Sequence, residues 1–392
     1  MNFILADGPE WDTLLPLTFT RPTAEIRIGI LTLREKWEHL LKTKTFTITQ
    51  THLTRKYPTP SKKDSYISIN PTFLPTKNLI QAIHSLEENQ ALTKGKTIIA
   101  LYKNPHKIPY PTLIKEVPYP HDLIHIEHPW DIFQQNTIAL EQDFKLLTQG
   151  RKSAPLSKSN RVTGKDIFVE EGAIVEHAIL NAQSGAIYIG KKTQIMEGCL
   201  IRGGLALCEG AVLKMGAKIY GATTIGPYCK VGGEINNSIL FSYSNKAHDG
   251  FLGNSVLGQW CNLGAGTNTS NLKNNYSKVY VWNHTAGQTI STKLQFCGLF
   301  MGDYSKSAIN TQFNTGSVVG VSVNVFGYGF PPKHIPSFTW GGIQKSDLFD
   351  FEKTCETAQL MMSRRNQTFY SIDKEILRYL FYLTQKRYET SP

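Results

Sequence analysis

A chain of 392 residues exceeds the usual size of one domain and predicts two, each able to bury a core. Hydrophobic residues make up 41% and charged residues 19%, ordinary for a soluble enzyme. No run approaches the roughly 18 apolar residues that span a bilayer, and Met1 to Ala6 lacks the basic and apolar regions of a signal peptide, so a cytoplasmic protein without membrane contact is expected. The formal net charge of +11 suits nucleic acid or small polyanions such as sugar phosphates, nucleotides and coenzyme A. The cations are spread along the chain, with short clusters at Lys62-Lys63, Lys191-Lys192 and Arg364-Arg365 and no nucleic-acid module, so no nucleic-acid partner is expected. Six cysteines (Cys199, Cys208, Cys229, Cys261, Cys297, Cys355) are scattered without CxxC pairs and read as reduced core residues.

In chain order, Phe3 to Ala6 reads as a buried strand and Ile30 to Leu41 has the apolar spacing of a helix. Ile67 to Ile69 and Thr97 to Leu101 are further strands, with a helix pattern across Asn78 to Leu92 between them. Strands alternating with helices predict an α/β layer over 1–150. Trp130 to Leu147 reads as a linking helix, and 151–164 as a polar linker.

A period of six then takes over. Stepping by six from Ile189 meets Ile195, Ile201, Leu207, Leu213, Ile219, Ile225 and Val231, all aliphatic. Four residues after the first seven stand Thr193, Cys199, Leu205, Ala211, Ala217, Thr223 and Cys229, all small but one. Neither a helix, with period 3.6, nor a flat strand, with period 2, sustains a six. A triangular coil does: each hexad supplies one short strand and one corner, and three hexads close a turn of about 18 residues. Val169 and Val175 open the coil, and a second run passes Met301, Ser307, Phe313, Val319 and Val325. The β-helix is therefore expected over 165–328, with 269–290 leaving the prism as a loop. In 329–392, three prolines predict an extended stretch. Ser346 or Asp347 would cap a helix running to about Arg365, and a final helix lies near 373–388.

Two segments carry a family resemblance. Asp7-Gly8 followed by Leu15-Pro16-Leu17-Thr18-Phe19-Thr20-Arg21-Pro22 resembles the opening of sugar-1-phosphate nucleotidylyltransferases. In those enzymes a glycine-rich loop and cations cradle nucleotide phosphates. The chain departs from the pattern: the Gly-x-Gly-Thr-Arg run is absent and Thr23 stands where lysine is usual. The resemblance implies a degenerate, Rossmann-type α/β head in which Gly8, Arg21 and Arg27 bind nucleotide, with Asn70 the nearest candidate for a metal ligand. Arg21 and Arg27 also read as structural cations fixing a loop, and Gly8 as a turn residue.

The second segment is more specific. Asn236-Asn237-Ser238-Ile239-Leu240, Ser244-Asn245-Lys246-Ala247-His248-Asp249-Gly250-Phe251-Leu252-Gly253 and the run from Asn262 to Lys273 are similar to the acetyltransferase half of the GlmU family. These are bifunctional N-acetylglucosamine-1-phosphate uridylyltransferase and glucosamine-1-phosphate acetyltransferase enzymes, and the chain looks like a short-headed variant. The resemblance implies a left-handed β-helix, an acetyl-CoA cosubstrate and a glucosamine-1-phosphate acceptor. It also implies a homotrimer and a head that couples the product to UTP with Mg²⁺. His248 matches the general base, Asn262 and Asn271 match residues that orient the amino sugar, and the amide of Ala265 matches the oxyanion donor. Phe251 and Leu272 stand where the bacterial enzymes have tyrosines, so substrate identity is less constrained than reaction class. Two alternatives stay open: a sugar-nucleotide-binding sensor or scaffold without chemistry, and a nucleotidylyltransferase with an inactive β-helix.

Overall fold

The computed structural model describes residues 2–57, 59, 65–103 and 114–390, and the Lys62-Lys63 pair lies outside them. The head is one six-stranded sheet in the order Phe46–Ile48, Asn2–Ala6, Tyr66–Ile69, Thr97–Lys103, Gln90–Lys94, Lys115–Pro118. Its first three strands are parallel, and Thr97–Lys103 runs antiparallel to both of its neighbours. The helix Leu33–Leu41 starts at Thr32, which forms a capping box with Glu35, and buries Leu33, Trp37 and Leu41. Ile30 and Leu31 stay outside it, because their amides donate to Asp143 at 2.8 and 3.0 Å.

Two predicted helices change. The pattern over Asn78 to Leu92 yields only Lys77–His84. Beyond it Asn89 turns the chain with a φ of 63°, and Gln90–Lys94 pairs with two strands, burying Ala91 and Leu92. Sheet pairing outweighs the helical spacing there. The linking helix is two, Pro129–Gln134 and Asn136–Thr148. The second begins at Asn136, whose side chain accepts from the Gly29 amide at 2.7 Å and donates to the Ala222 carbonyl at 2.7 Å. That residue ties head, helix and prism together.

The remainder is a parallel β-helix with three faces. The first face carries six strands, from Arg161–Thr163 to Phe251–Gly253. The second carries nine, from Ile167–Val169 to His334–Ile335. The third carries ten, from Ile174–Val175 through Thr339–Gly342 to Ser346–Leu348. All eight residues of the first aliphatic ladder lie in one apolar column that continues to Ile335. Ser307, the polar step of the second run, meets the Thr267 hydroxyl at 2.9 Å, which satisfies it inside the prism.

The prism outlasts its hexads. Val319 pairs with Ile335 and Asn324 with Trp340, so the proline-rich stretch forms the last coil instead of a free extended segment. The chain then reverses through Gly341 and Gly342, both at positive φ, and Ser346–Leu348 pairs antiparallel with Thr339–Gly342. The cap expected at Ser346 or Asp347 is therefore Asp350, which accepts from Lys353 N at 2.8 Å and starts Phe351–Ser363. Ser371–Thr390 is the final helix. Of the segment 269–290, Thr269 still pairs with Phe313 in the prism, and what leaves it is an ordered antiparallel hairpin of Tyr280–Asn283 and Gln288–Ser291.

The head covers the second face. The outward row Ile239, Val256, Phe300 and Val318 is in register and buried against Leu14, Leu17, Ile26, Ile28 and Phe133 of the head. Arg21 forms an ion pair with Asp303 from the prism, their side chains 3% and 4% exposed. The final two helices pack over Trp260, Tyr304 and Phe338 at one corner. No helix among the described residues is long and apolar enough to cross a membrane. All six cysteines are buried free thiols.

Candidate active site at a corner of the β-helix

His248 lies in the corner Ala247–Gly250, between the third-face strand Asn245–Lys246 and the first-face strand Phe251–Gly253. Ala265 occupies the corner of the next coil, between Asn262–Leu263 and Asn268–Thr269. The two corners are stacked directly: Gly266 N donates to Asp249 O at 3.0 Å, and Asn310 N of the following coil donates to Ala265 O at 2.7 Å. The Ala265 amide itself donates to no atom among the described residues. The imidazole-bearing residue, His248, is exposed. An exposed imidazole residue and a free backbone donor thus sit on adjacent corners of one ridge.

Asn271 and Phe251 flank the ridge on the first-face side. Asn271 Nδ2 donates to Asn254 Oδ1 at 2.8 Å. A Cβ at Gly253 would lie 2.5 Å from Phe251 Cζ and 2.7 Å from Asn271 Nδ2, so a glycine there admits both groups over the strand. Asn262 lies on the other side, on the outward row of the third face, in register with Asn245 and Lys306. One prism therefore presents Asn271 and Asn262 to two different faces.

The ridge has a feature that the hexad pattern hides. Lys246 is in register with the inward Val231 and is itself only 1% exposed, so a lysine points into the prism. Its ammonium donates to Gly232 O at 3.3 Å and to His248 O. Burial pushes its pKa down to about 8 against a weaker upward pull from Asp249. Lys246 thereby anchors the corner that carries His248. The six-step ladder ends at Val231, and the coil from Val231 to Lys246 is shorter than those before it, so counting by six could not place this lysine.

The head residues expected to hold nucleotide are brought together only in part. Arg21 is 2% exposed; its guanidinium meets Asp303 and the Leu17 carbonyl. Arg27, 7% exposed, meets the Ile30 carbonyl and Glu35. Both are structural cations turned into the interior. Gly8 and Asn70 do meet, at the carboxyl ends of parallel strands where α/β sheets commonly bind ligands, but the space is filled. A Cβ at Gly8 would strike Glu10 Oε2, and the same oxygen accepts from Asn70 Nδ2 at 3.1 Å. Glu10 Oε1 meets His125 Nε2 at 2.8 Å. Burial raises the Glu10 carboxyl, yet the His125 bond and further hydrogen bonds outweigh it and hold the pKa below the usual value. Asp7 accepts from Thr23 N and Thr23 Oγ1 on one oxygen and from Thr49 Oγ1 on the other. All four carboxylate oxygens are engaged. Among the described residues no group of three His, Cys, Asp or Glu forms a metal site. This donor set does not fit a magnesium ion.

Comparison with known proteins follows the same division. Residues 3–152 match the family described as sugar nucleotidyl transferase. The bifunctional protein GlmU of Wigglesworthia glossinidia brevipalpis is 26% identical over 212 residues, 47% of this chain and 41% of that protein. The bifunctional protein GlmU of Methanococcus maripaludis strain C5 is 25% identical over 205 residues, 50% of this chain and 41% of that protein. The chain is thus similar to GlmU proteins over about half of its own length. The aligned parts span about two fifths of those relatives, so their whole activity is not carried across. Among solved structures, the polySia-specific acetyltransferase NeuO covers 49% of this chain and 88% of its own, at 14% identity and a TM-score of 0.27, too distant to bear on chemistry. In this chain the corner ridge keeps its candidate groups accessible, whereas the head has its own turned inward or bonded to one another.

Proposed function

We propose that the protein is an acyl-CoA-dependent N-acetyltransferase acting on an amino-sugar phosphate, with glucosamine-1-phosphate as acceptor and acetyl-CoA as donor. The observation that supports this most directly is the stacked pair of corners, which sets an exposed His248 beside the unengaged Ala265 amide. In this reading the imidazole takes a proton from the amine as nitrogen attacks the thioester carbonyl. The carbonyl oxygen becomes an oxyanion facing the Ala265 amide. Collapse then breaks the C–S bond, and the thiolate leaves with the proton that the imidazole returns. Asn271 and Asn262 orient the sugar nitrogen. Because they face different sides of one prism, the reading favours a site completed by a neighbouring copy, in a closed homotrimer. A cytoplasmic setting supplies the acyl-CoA.

The test is release of free thiol from acetyl-CoA across a panel of amino-sugar phosphates. Glucosamine-1-phosphate is expected to be turned over, and His248→Ala to lose about 10²–10⁴-fold in rate with an unchanged circular dichroism spectrum. Full turnover by that variant would refute the assignment of the base.

A second reading concerns the head alone. Buried Arg21 and Arg27 and the self-satisfied carboxylates favour a head that buttresses the second face over one that couples the product to UTP.

A further inference from the structure

The outward row of the third face changes character along the prism. It runs Val212, Lys230, Asn245, Asn262, Lys306, Asn324 and Trp340 in continuous register, so between Val212 and Trp340 all five positions are lysine or asparagine. Three more cations gather at its Lys230 end. Arg365 reaches over the row and donates to Asn245 Oδ1 at 3.0 Å. Lys214 stands beside it, its amide bonded to Val231 O at 2.7 Å and its Cβ 3.2 Å from where a Cβ on Gly232 would be. Arg364 precedes Arg365 at the end of Phe351–Ser363.

These four cations are close enough to repel. The Lys230 ammonium is held below the ordinary lysine value, first by Arg365, then by burial, then by Lys214 and Arg364. None of the four takes part in an ion pair among the described residues. Basic residues at a helix C-terminus are favoured by the helix dipole, which accounts for Arg364 and Arg365. It does not account for Lys214 and Lys230, which belong to the prism. Unneutralised like charges destabilise a fold, so their retention points to an anion that completes the cluster.

We infer that Lys230 and Arg365, backed by Lys214 and Arg364, form the binding site for the phosphate group of the acceptor whose amine Asn262 orients. The spacing decides which phosphate. Lys230 and Asn262 are two strands apart, about 10 Å at the usual strand separation, and the lysine and arginine side chains shorten that further. Arg365, bonded to Asn245, stands only one strand from Asn262, about 5 Å, and the amine and phosphate on adjacent ring carbons of glucosamine-1-phosphate cover that shorter gap. The extended arm between the thioester and the phosphates of coenzyme A overshoots it. Arg365 adds planar donors suited to phosphate oxygens, and Lys230 a point charge.

This inference rests on the proposed amino-sugar phosphate substrate, and the experiment separates the two. Binding of glucosamine-1-phosphate, glucosamine, inorganic phosphate and coenzyme A is measured by calorimetry on the full chain, for wild type, Lys230→Gln and Arg365→Gln. Circular dichroism checks that each variant is folded. Glucosamine-1-phosphate and inorganic phosphate are each expected to bind at least about tenfold more weakly to either variant, the loss of one charge-assisted hydrogen bond. Glucosamine and coenzyme A are expected to be unaffected. Unchanged phosphate affinity in both folded variants overturns the site. A loss confined to coenzyme A overturns it as well, by assigning the cluster to the donor. Variant-sensitive binding of inorganic phosphate without any binding of glucosamine-1-phosphate sinks the proposed substrate while leaving the anion site standing.

Discussion

Replacing Lys246 by methionine tests whether a charge truly sits inside the prism. The ammonium has a folded pKa of about 8, against 10.5 for an ordinary lysine, with burial as the main cause. That depression corresponds to about 3 kcal/mol of burial cost at neutral pH. Below pH 8 both folded and unfolded chains carry the proton and the full cost is felt. Between about pH 8 and 10.5 the folded chain releases the proton while the unfolded chain keeps it, so stability from this group rises with pH. Methionine has neither the charge nor the titration. At pH 7 it removes the burial cost but leaves Gly232 O and His248 O without their donor, at about 1–3 kcal/mol each. The two effects nearly cancel there. Urea unfolding of both proteins at pH 7, 8, 9 and 10.5 should show near-equal stability at pH 7. Wild type should then gain on Lys246→Met by about 3 kcal/mol at the alkaline end. Parallel stability curves across that range would refute a buried ammonium at this position.

Three further outcomes are expected. Asp303→Asn leaves the Arg21 guanidinium buried beside a neutral partner and should destabilise the chain by about 3–5 kcal/mol in urea unfolding, and a change within experimental scatter would remove this pair from the head–prism contact. Phe251→Tyr places a hydroxyl over Gly253 beside Asn271, so KM for glucosamine-1-phosphate should fall by about 2- to 12-fold with kcat little changed. An unaltered KM in a folded variant would take Phe251 away from the acceptor. For the head, UTP and N-acetylglucosamine-1-phosphate with magnesium should release no pyrophosphate above a protein-free blank, and steady release would overturn the buttress reading.

The hexad ladder was legible because it is a local rule. An inward aliphatic every six residues needs no knowledge of the distant chain, and the ladder from Ile189 to Val231 entered the core as read. The head's covering of the second face also left a trace. Ile187-Tyr188-Ile189, Leu205-Ala206-Leu207 and Leu299-Phe300-Met301 are buried at every position, whereas first-face strands such as Leu200-Ile201-Arg202 alternate. A strand apolar on both sides is one covered on both sides. The His248 motif was visible through its resemblance, but its surroundings were not.

By itself, the sequence determined the prism, the α/β head and the ridge on which the candidate groups stand. Each rests on periodicity or on a contiguous motif. Tertiary structure alone decided what Arg21 and Lys246 do. Arg21 finds its partner at Asp303, 282 residues away, and that pairing turns a phosphate-ligand candidate into a buried strut. Lys246 points inward because the coil from Val231 is short and the register between coils sets its side, which no count along the chain reveals. Likewise Lys230, Asn245 and Asn262 form one row only after the coils stack, since hydrogen-bond register between strands, not spacing in sequence, brings them side by side.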